Sequence, residues 1–438
     1  MRFRATDVAA ATGGRVVGAD VEIDGTGFDT RTLLPGQLFV PLIDQRDGHD
    51  FIAHAVERGA VAYLTSRGGP HVAGATAIEV DDTLDALLRL AADRRRRSSA
   101  RVVGITGSVG KTSTKDFARV ALAASHVTWA NERSFNNDQG LPTTILNAPD
   151  DTQVMVLEMG MRGFGEIARL CAVAVPHIGV VTRVAEAHGD RVGGIDGVAR
   201  AKAELVESLP ADGTAILNAD DPRVRSMASA FRGDAVTFGE SSDADVRIVD
   251  VTVDERACAS FTVATPWGTA RVRLAVAGRH MAHNAAASLA AVGVVGGDLE
   301  TAAGALSEVR LSAMRMEVQR TERGAIVLND SYNANPTSMR AALDALADLP
   351  ARRRVAIVGV MAEIADAERE HRAIRDYASA RDIVLISAGT HLYGDEPVDD
   401  PVAHAGELGE GDAVLVKGSR VAGLEHVAAQ LLTTRAVR

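Results

Sequence analysis

Apolar and polar positions along this chain alternate between two periods, and each change of period marks out an element. In residues 1–98 the apolar runs are short. Residues 6–11 have the spacing of a short helix entered from a Thr or Asp cap. Residues 15–18 and 21–23 read as short strands, and 35–40 as a turn feeding a buried strand. A helix opens at 47–51 and ends near Gly59, a strand follows at 61–64, and a helix over 83–97 closes on four arginines, Arg94 to Arg97. Such a run at a helix end predicts a solvated face leading into a linker, rather than a nucleic-acid contact. The pattern predicts a small α/β domain ending at residue 98.

Residues 99–310 carry longer apolar runs. Those at 102–105, 154–157, 178–181 and 215–217 are continuous, as buried parallel strands are, and residues 197–209 are helical. From about 244 to 276 the pattern becomes strict alternation, which predicts an antiparallel segment, and a helix over 283–295 follows. Residues 311–438 form a second α/β pattern. Its strands fall at 325–328, 355–358, 383–386 and 414–416, its helices at 338–347, 365–380 and 421–432. Right-handed crossovers make that a mostly parallel, Rossmann-like sheet. The expected fold class is therefore α/β in three domains. These are a small N-terminal domain over 1–98, a central parallel-sheet domain with an antiparallel segment over 99–310, and a Rossmann-like domain over 311–438.

Composition narrows the function classes. The length of 438 residues suits two to four domains, and 46% hydrophobic content is enough for several cores. A net charge of −11 argues against broad nucleic-acid or membrane-surface binding, though a local basic cluster can still hold an anionic substrate. The two cysteines, Cys171 and Cys258, lie far apart in apolar surroundings and read as buried free thiols. The N-terminus lacks the apolar core of a signal peptide, and no run approaches the roughly 20 apolar residues of a membrane span. The expected molecule is soluble and cytoplasmic, a monomer, with no nucleic acid as partner and no membrane insertion.

The chemistry concentrates between Arg101 and Ala124. An apolar strand runs into Gly107-Ser108-Val109-Gly110-Lys111-Thr112-Ser113, and a helix leaves with Phe117, Val120 and Ala121 on one side. Strand, glycine turn and helix with Gly-Lys-Thr at the entrance suit phosphate binding. Glycines let backbone N–H groups face an anion, the helix N-terminus adds positive potential, and a lysine adds full charge. Lys111 then meets the terminal phosphates and the Thr112 hydroxyl ligates Mg²⁺. The consensus asks for glycine where Ile105 stands, and an isolated Gly-Lys-Thr also occurs in surface turns.

Glu158 ends a strand of the same domain, where a carboxylate either holds Mg²⁺ or caps and pairs structurally. His188 lies in a loop after an apolar strand. Lys202 sits on a helix beside Val198, Leu205 and Val206. Spacing alone leaves both open between a site and ordinary packing or solvent contact. Polar sets occur at residues 136–140, 278–284 and 329–336. His280 and His283 lack a third ligand, which favours capping or packing over metal binding.

Taken together these segments resemble the Mur ligase family, ATP-dependent amide-forming ligases of peptidoglycan precursor synthesis. The resemblance covers nearly the whole chain. Gly104-Ile-Thr-Gly-Ser-Val-Gly-Lys-Thr112 is similar to the family's own phosphate loop, Ile105 included. Glu158-Met-Gly-Met, Gly165-Glu-Ile167, Ala187-His188 and Ala201-Lys-Ala-Glu204 match its central region. Asp47-Gly-His-Asp-Phe51, Asp330-Ser-Tyr-Asn-Ala-Asn-Pro336 and Val416-Lys-Gly-Ser-Arg420 look most like the member that adds D-alanyl-D-alanine, and the Asp-Asn-Pro-Arg signature of the diaminopimelate-adding relative is absent. Two segments depart from the pattern. Arg183 stands where the family usually has asparagine, and Met361-Ala-Glu-Ile-Ala365 replaces Met-x-Glu-Leu-Gly.

The resemblance implies a first domain for the UDP-sugar end, a second for ATP and a third that closes over both. It implies UDP-N-acetylmuramoyl-tripeptide and D-alanyl-D-alanine as substrates, ATP and Mg²⁺ as cofactors, and an acyl-phosphate intermediate. Carried over residue by residue, Lys111 and the backbone of Gly107, Ser108, Gly110, Thr112 and Ser113 hold phosphates. Thr112, Glu158, His188 and Lys202 hold metal, with Lys202 like the lysine that relatives carry as a carbamate. Lys111, Lys202 and His188 form the catalytic set. Asn284 contacts adenine, and Arg315 and Asp330 contact the ribose and phosphate side. Thr30 and Arg31 meet the UDP end, and Asn137, Asn333 and Asn335 face substrate, the last two near the incoming dipeptide. Two other readings stay open: a ligase of the same superfamily with a different amine, and a P-loop ATPase without a ligase step.

Overall fold

The computed structural model describes residues 2–68, 71–132, 135–185 and 192–433. The chain packs as two units. One comprises Met1–Gly104, His126–Met161 and Gly165–His177, and the other Ile105–Ser125, Arg162–Phe164 and Ile178–Arg438.

The first unit holds a five-stranded sheet in the order Arg15–Val17, Thr76–Glu79, Ala62–Thr65, Leu38–Phe39, Thr26–Gly27. The first pair is antiparallel and the rest parallel. The apolar runs read from the sequence face a core of Leu33, Phe39, Ile52, Ala55, Tyr63 and Ala77. The helix Thr83–Arg96 starts on the Asp82 carboxylate, which accepts from the Asp85 N–H at 2.7 Å. In the same unit Val154–Glu158 runs parallel to Thr128–Ala130. All five of its residues are buried; the first four, 154–157, form the unbroken apolar run such a position favours, and the fifth is the Glu158 carboxylate.

The arginine run at 94–97 corrects the sequence reading. Arg94 and Arg95 are buried. Arg95 donates to the Ala174 carbonyl at 2.8 Å and Arg94 pairs with Asp150 at 3.0 Å. Only Arg96 and Arg97 lie on the solvent side, both paired with Asp93. Periodicity cannot detect this, because a guanidinium buries readily once a carbonyl receives it.

The Asp47–Phe51 segment is locked by its own polar groups. His49 is buried, its Nδ1 2.6 Å from Asp47 Oδ1, and its Nε2 accepts from the Ser66 N–H at 3.1 Å. Asp47 also pairs with Arg67 at 2.5 Å. The His49 backbone N–H is the main cause that brings its carboxyl down to about 2. A depressed carboxylate contributes stability that is present above the unfolded pKa near 4 and lost as pH falls through 2. Solvent screening leaves about 1 kcal/mol. Asp47→Asn should therefore lower the urea midpoint at pH 6, and the gap from the native protein should close between pH 4 and pH 2. A gap unchanged at pH 2.5 would remove this assignment.

In the second unit Ile178–Val181, Thr214–Asn218, Asp234–Gly239 and Val246–Val253 follow one another in parallel. Cys258–Thr265 and Gly268–Ala277 then add antiparallel. Along the last strand buried and exposed positions alternate, as the sequence pattern of 244–276 predicts. A further sheet has the order Glu317–Arg320, Ile326–Asn329, Asp412–Lys417, Arg353–Val358, Ile383–Ser387. Its last four strands are parallel, and Glu317–Arg320 is an antiparallel edge that the sequence reading did not contain. The predicted helix over 421–432 is shorter than read. Gly423, at φ 62°, interrupts it, and the helix runs over Glu425–Thr433. Cys171 and Cys258 are buried free thiols. Among the described residues no helix is long and apolar enough to cross a membrane.

Candidate functional site

The glycine turn over 107–113 is built by close approach of neighbouring segments. Ile105 is fully buried in the strand Arg101–Thr106, so the turn begins at Gly107, two residues later than the consensus glycine. Gly107 takes φ 150°, and a Cβ there would lie 1.9 Å from Thr182 Oγ1. Gly110 takes φ 87° at the start of the helix Lys111–Ala123, and its Cβ would lie 2.5 Å from Asn284 Oδ1. At both positions the backbone conformation strains any residue with a Cβ. The loop is pinned from the neighbouring strand. Thr182 Oγ1 donates to the Val109 carbonyl at 2.6 Å, and the Ser108 N–H donates to the Arg183 carbonyl at 2.7 Å. Ser108 Oγ donates to the Ala185 carbonyl at 2.8 Å. Arg183, the departure from the family pattern, serves this loop through its backbone while its side chain is exposed.

Lys111 Nζ folds back on the Gly107 carbonyl at 2.7 Å, so its ammonium is held over the turn. Thr112 and Ser113 are buried in the first helical turn. Asn284, on the helix Met281–Val295, accepts from Thr114 Oγ1 at 3.3 Å and lies over Gly110, so it borders the loop. Lys202, on Gly194–Glu207, is 3% exposed. Burial and then the Lys111 charge hold its amine well below the ordinary lysine range. His188 lies outside the described residues.

Arg315 Nη2 donates to Thr112 Oγ1 at 3.3 Å. Asp330, at the carboxyl end of Ile326–Asn329, is buried against Lys417 Nζ at 2.5 Å and accepts the Met316 N–H at 3.2 Å. Asn335 caps the helix Pro336–Ala347, its Oδ1 accepting from the Ser338 N–H at 2.9 Å, while Asn333 is exposed. Within the second unit Arg315 thus meets Thr112 directly, and Asp330 holds the backbone of the residue that follows Arg315.

His280 and His283 have different surroundings. The His280 ring covers Gly278 and is pulled to about 4 by desolvation. His283 Nε2 lies 2.9 Å from Asp220. Among the described residues no group of three or more His, Cys, Asp or Glu could hold a metal ion.

The first unit carries the remaining candidates. Glu158 is 1% exposed at its strand's carboxyl end. It accepts from Asn136 Nδ2 at 2.6 Å, and its N–H donates to Asn131 Oδ1 at 2.9 Å. Asn137 is exposed, and its Oδ1 accepts from the Gly140 N–H at 2.9 Å. Thr30 is buried beside His54 Nδ1 at 3.2 Å, while Arg31 is exposed and paired with Asp29 at 2.6 Å. Sequence reasoning missed Thr182, Tyr332 and Lys417 as parts of these sites. The last two stand in motifs quoted above, but spacing does not say which motif residues support and which face a ligand.

Comparison with known proteins agrees with this architecture. Residues 105–292 match the Mur ligase middle domain, and 314–420 the Mur ligase, glutamate ligase domain. The UDP-N-acetylmuramoyl-tripeptide–D-alanyl-D-alanine ligase of Bacillus subtilis is 37% identical over 349 residues, spanning 79% of this chain and 75% of that one. The Escherichia coli enzyme of the same name is 34% identical over 432 residues, 94% of this chain and 95% of that one. The crystal structure of MurF from Acinetobacter baumannii superposes with a TM-score of 0.85 at 27% identity, covering 99% of each chain. The chain belongs to the Mur ligase family.

Proposed function

We propose that the protein joins D-alanyl-D-alanine to UDP-N-acetylmuramoyl-tripeptide at the expense of ATP, a step of peptidoglycan precursor synthesis. The observation that carries the reading is the glycine turn with Lys111 and Thr112 at a helix start, Thr112 bonded to Arg315, in a chain related over most of its length to ligases of that name. Its domains are taken as 1–98 for the UDP-substrate, 99–310 for ATP and 311–438 for closing over both. The protein acts in the cytoplasm as a monomer.

A carboxylate is a poor acylating agent because its leaving group would be an oxide. Transfer of the γ-phosphoryl group to the tripeptide carboxylate forms a new O–P bond and releases ADP. The dipeptide amine then attacks the acyl carbon, loses a proton, and the tetrahedral adduct expels phosphate as the amide forms. Lys111 and the N–H groups of the 107–113 turn balance the charge on the transferring phosphoryl group. Asn284 orients the base, and Arg315 with Asp330 the phosphate and ribose side. Thr30 and Arg31 hold the UDP end, and Asn137, Asn333 and Asn335 line the substrate path. Burial around Lys202 keeps water from an intermediate that would hydrolyse.

The donor set suits Mg²⁺ in part. The Thr112 hydroxyl and the Glu158 carboxylate are hard oxygen donors, as that ion requires. The amine of Lys202 is not, and becomes so only as a carbamate; His188 is the fourth member of the proposed set. When bound, Mg²⁺ supplies charge neutralisation on the phosphate oxygens.

The test is an amine panel. The protein is incubated with ATP, Mg²⁺ and UDP-N-acetylmuramoyl-tripeptide, and with D-alanyl-D-alanine, D-alanine, D-glutamate or L-lysine. The product is detected by mass. A pentapeptide product with D-alanyl-D-alanine alone, equimolar with released phosphate, is expected. A different preferred amine identifies another ligase of the superfamily, and phosphate release without any amide identifies an ATPase.

A further inference from the structure

Arg315 sits in a backbone that would not be chosen for its own sake. It is flanked by Met314 at φ 61° and Met316 at φ 47°, two non-glycine residues in the left-handed region. Each is costly for a side chain with a Cβ and persists only where surrounding contacts over-determine it. Those contacts can be named. The Met316 N–H donates to Asp330 Oδ1 at 3.2 Å, and the Tyr332 N–H to the Met314 carbonyl at 3.4 Å. The Arg315 guanidinium lies 4.1 Å from the centroid of the Tyr332 ring. On the facing helix, Thr112 and Asp116 stand one turn apart on one side. Thr112 Oγ1 receives Arg315 and Asp116 Oδ2 receives the Ser312 N–H at 2.7 Å.

Behind Asp330 is Lys417, 1% exposed, at the carboxyl end of Asp412–Lys417. Its ammonium bridges Asp330 Oδ2 at 2.5 Å and the Asn333 carbonyl at 2.8 Å. The Asp330 carboxylate thus meets Lys417 on one oxygen and the strained connector on the other. A buried ion pair of this kind is a poor source of net stability and a good means of fixing geometry.

We propose that Tyr332 and Lys417 are positioning residues for Arg315. Lys417 acts through Asp330 to hold the left-handed connector, Tyr332 holds the plane of the guanidinium, and together they aim Arg315 at the phosphate loop before any ligand arrives. This rests on the reading of Arg315 as a phosphate-contacting residue.

The experiment is a double-mutant cycle on ligase turnover. Arg315→Ala, Lys417→Met and the double variant are assayed for kcat and for KM of ATP, with thermal midpoints recorded. Lys417→Met is expected to lower kcat/KM roughly 10- to 100-fold, as removal of a residue that orients an active group does, but less than threefold in the Arg315→Ala background. Equal losses in both backgrounds would overturn the proposal while leaving the role of Arg315 intact. No loss in Arg315→Ala itself would remove the reading on which the proposal stands. If Lys417→Met does not fold, Tyr332 decides. Tyr332→Phe keeps the stacking face and should retain activity within about threefold, whereas Tyr332→Leu should lose about tenfold at an unchanged thermal midpoint. Equal activity in Phe and Leu variants would refute the stacking role.

Discussion

Lys111→Ala is expected to lose at least roughly 100-fold in turnover, the scale set by deleting one transition-state donor. Its Nζ rests on the Gly107 carbonyl at 2.7 Å, so the structure holds the ammonium over the turn. Its loss leaves the loop backbone without the one full positive charge that the turn itself supplies. The fold should persist, because Thr182 and Ser108 pin the turn independently of the lysine. A thermal midpoint within a few degrees of the parent, together with a collapsed kcat, is the predicted pair of results. Ligase activity near the parental level would remove the loop from the reaction.

The second large effect concerns Lys202. Burial, reinforced by the Lys111 charge, holds its amine well below the usual range. A neutral amine is the form that reacts with CO₂. The nitrogen bonds to carbon, a proton leaves, and the product is a carbamate whose oxygens suit Mg²⁺ as an amine does not. Lys202→Ala should lose at least roughly 100-fold in turnover at low bicarbonate. A short carboxylic acid should restore part of it by occupying the vacated space, and Lys202→Arg should stay inactive because a guanidinium cannot form the carbamate. Substantial activity in Lys202→Arg, or an acid that rescues nothing, would overturn the carbamate. A stability sign accompanies this. A lysine whose folded pKa is depressed binds fewer protons folded than unfolded, so it opposes folding at pH values below its unfolded pKa. With CO₂ removed, so that the amine is unmodified, Lys202→Met should therefore unfold at a higher temperature than the parent at pH 7, and it should be inactive.

Much of this molecule was legible in one dimension. A fully buried parallel strand such as Val154–Glu158 is apolar along its first four positions, and the antiparallel strand Gly268–Ala277 alternates, so both announce themselves. The glycine turn was legible for a similar reason. Gly107 and Gly110 take φ 150° and 87°, so the local backbone writes the residue type into the chain. The lysine that follows carries a charge the turn cannot supply from its backbone alone. Family resemblance added roles for Arg315 and Asp330, which spacing could not assign.

Other features belonged to tertiary structure alone. Arg94 and Arg95 look like a solvated helix end until Asp150 and the Ala174 carbonyl meet them from other segments. The strand Glu317–Arg320 is an antiparallel edge whose exposed positions carry no unbroken apolar run. The left-handed turns at Met314 and Met316 leave no mark on residue type, because the contacts that enforce them come from Asp330, Tyr332 and, behind them, Lys417. The dividing line is physical. Periodicity and glycine placement report constraints that act on a residue through its own backbone and its burial. The pairing of a buried charge, and the aim of a guanidinium, depend on partners that only the folded chain brings within hydrogen-bond reach.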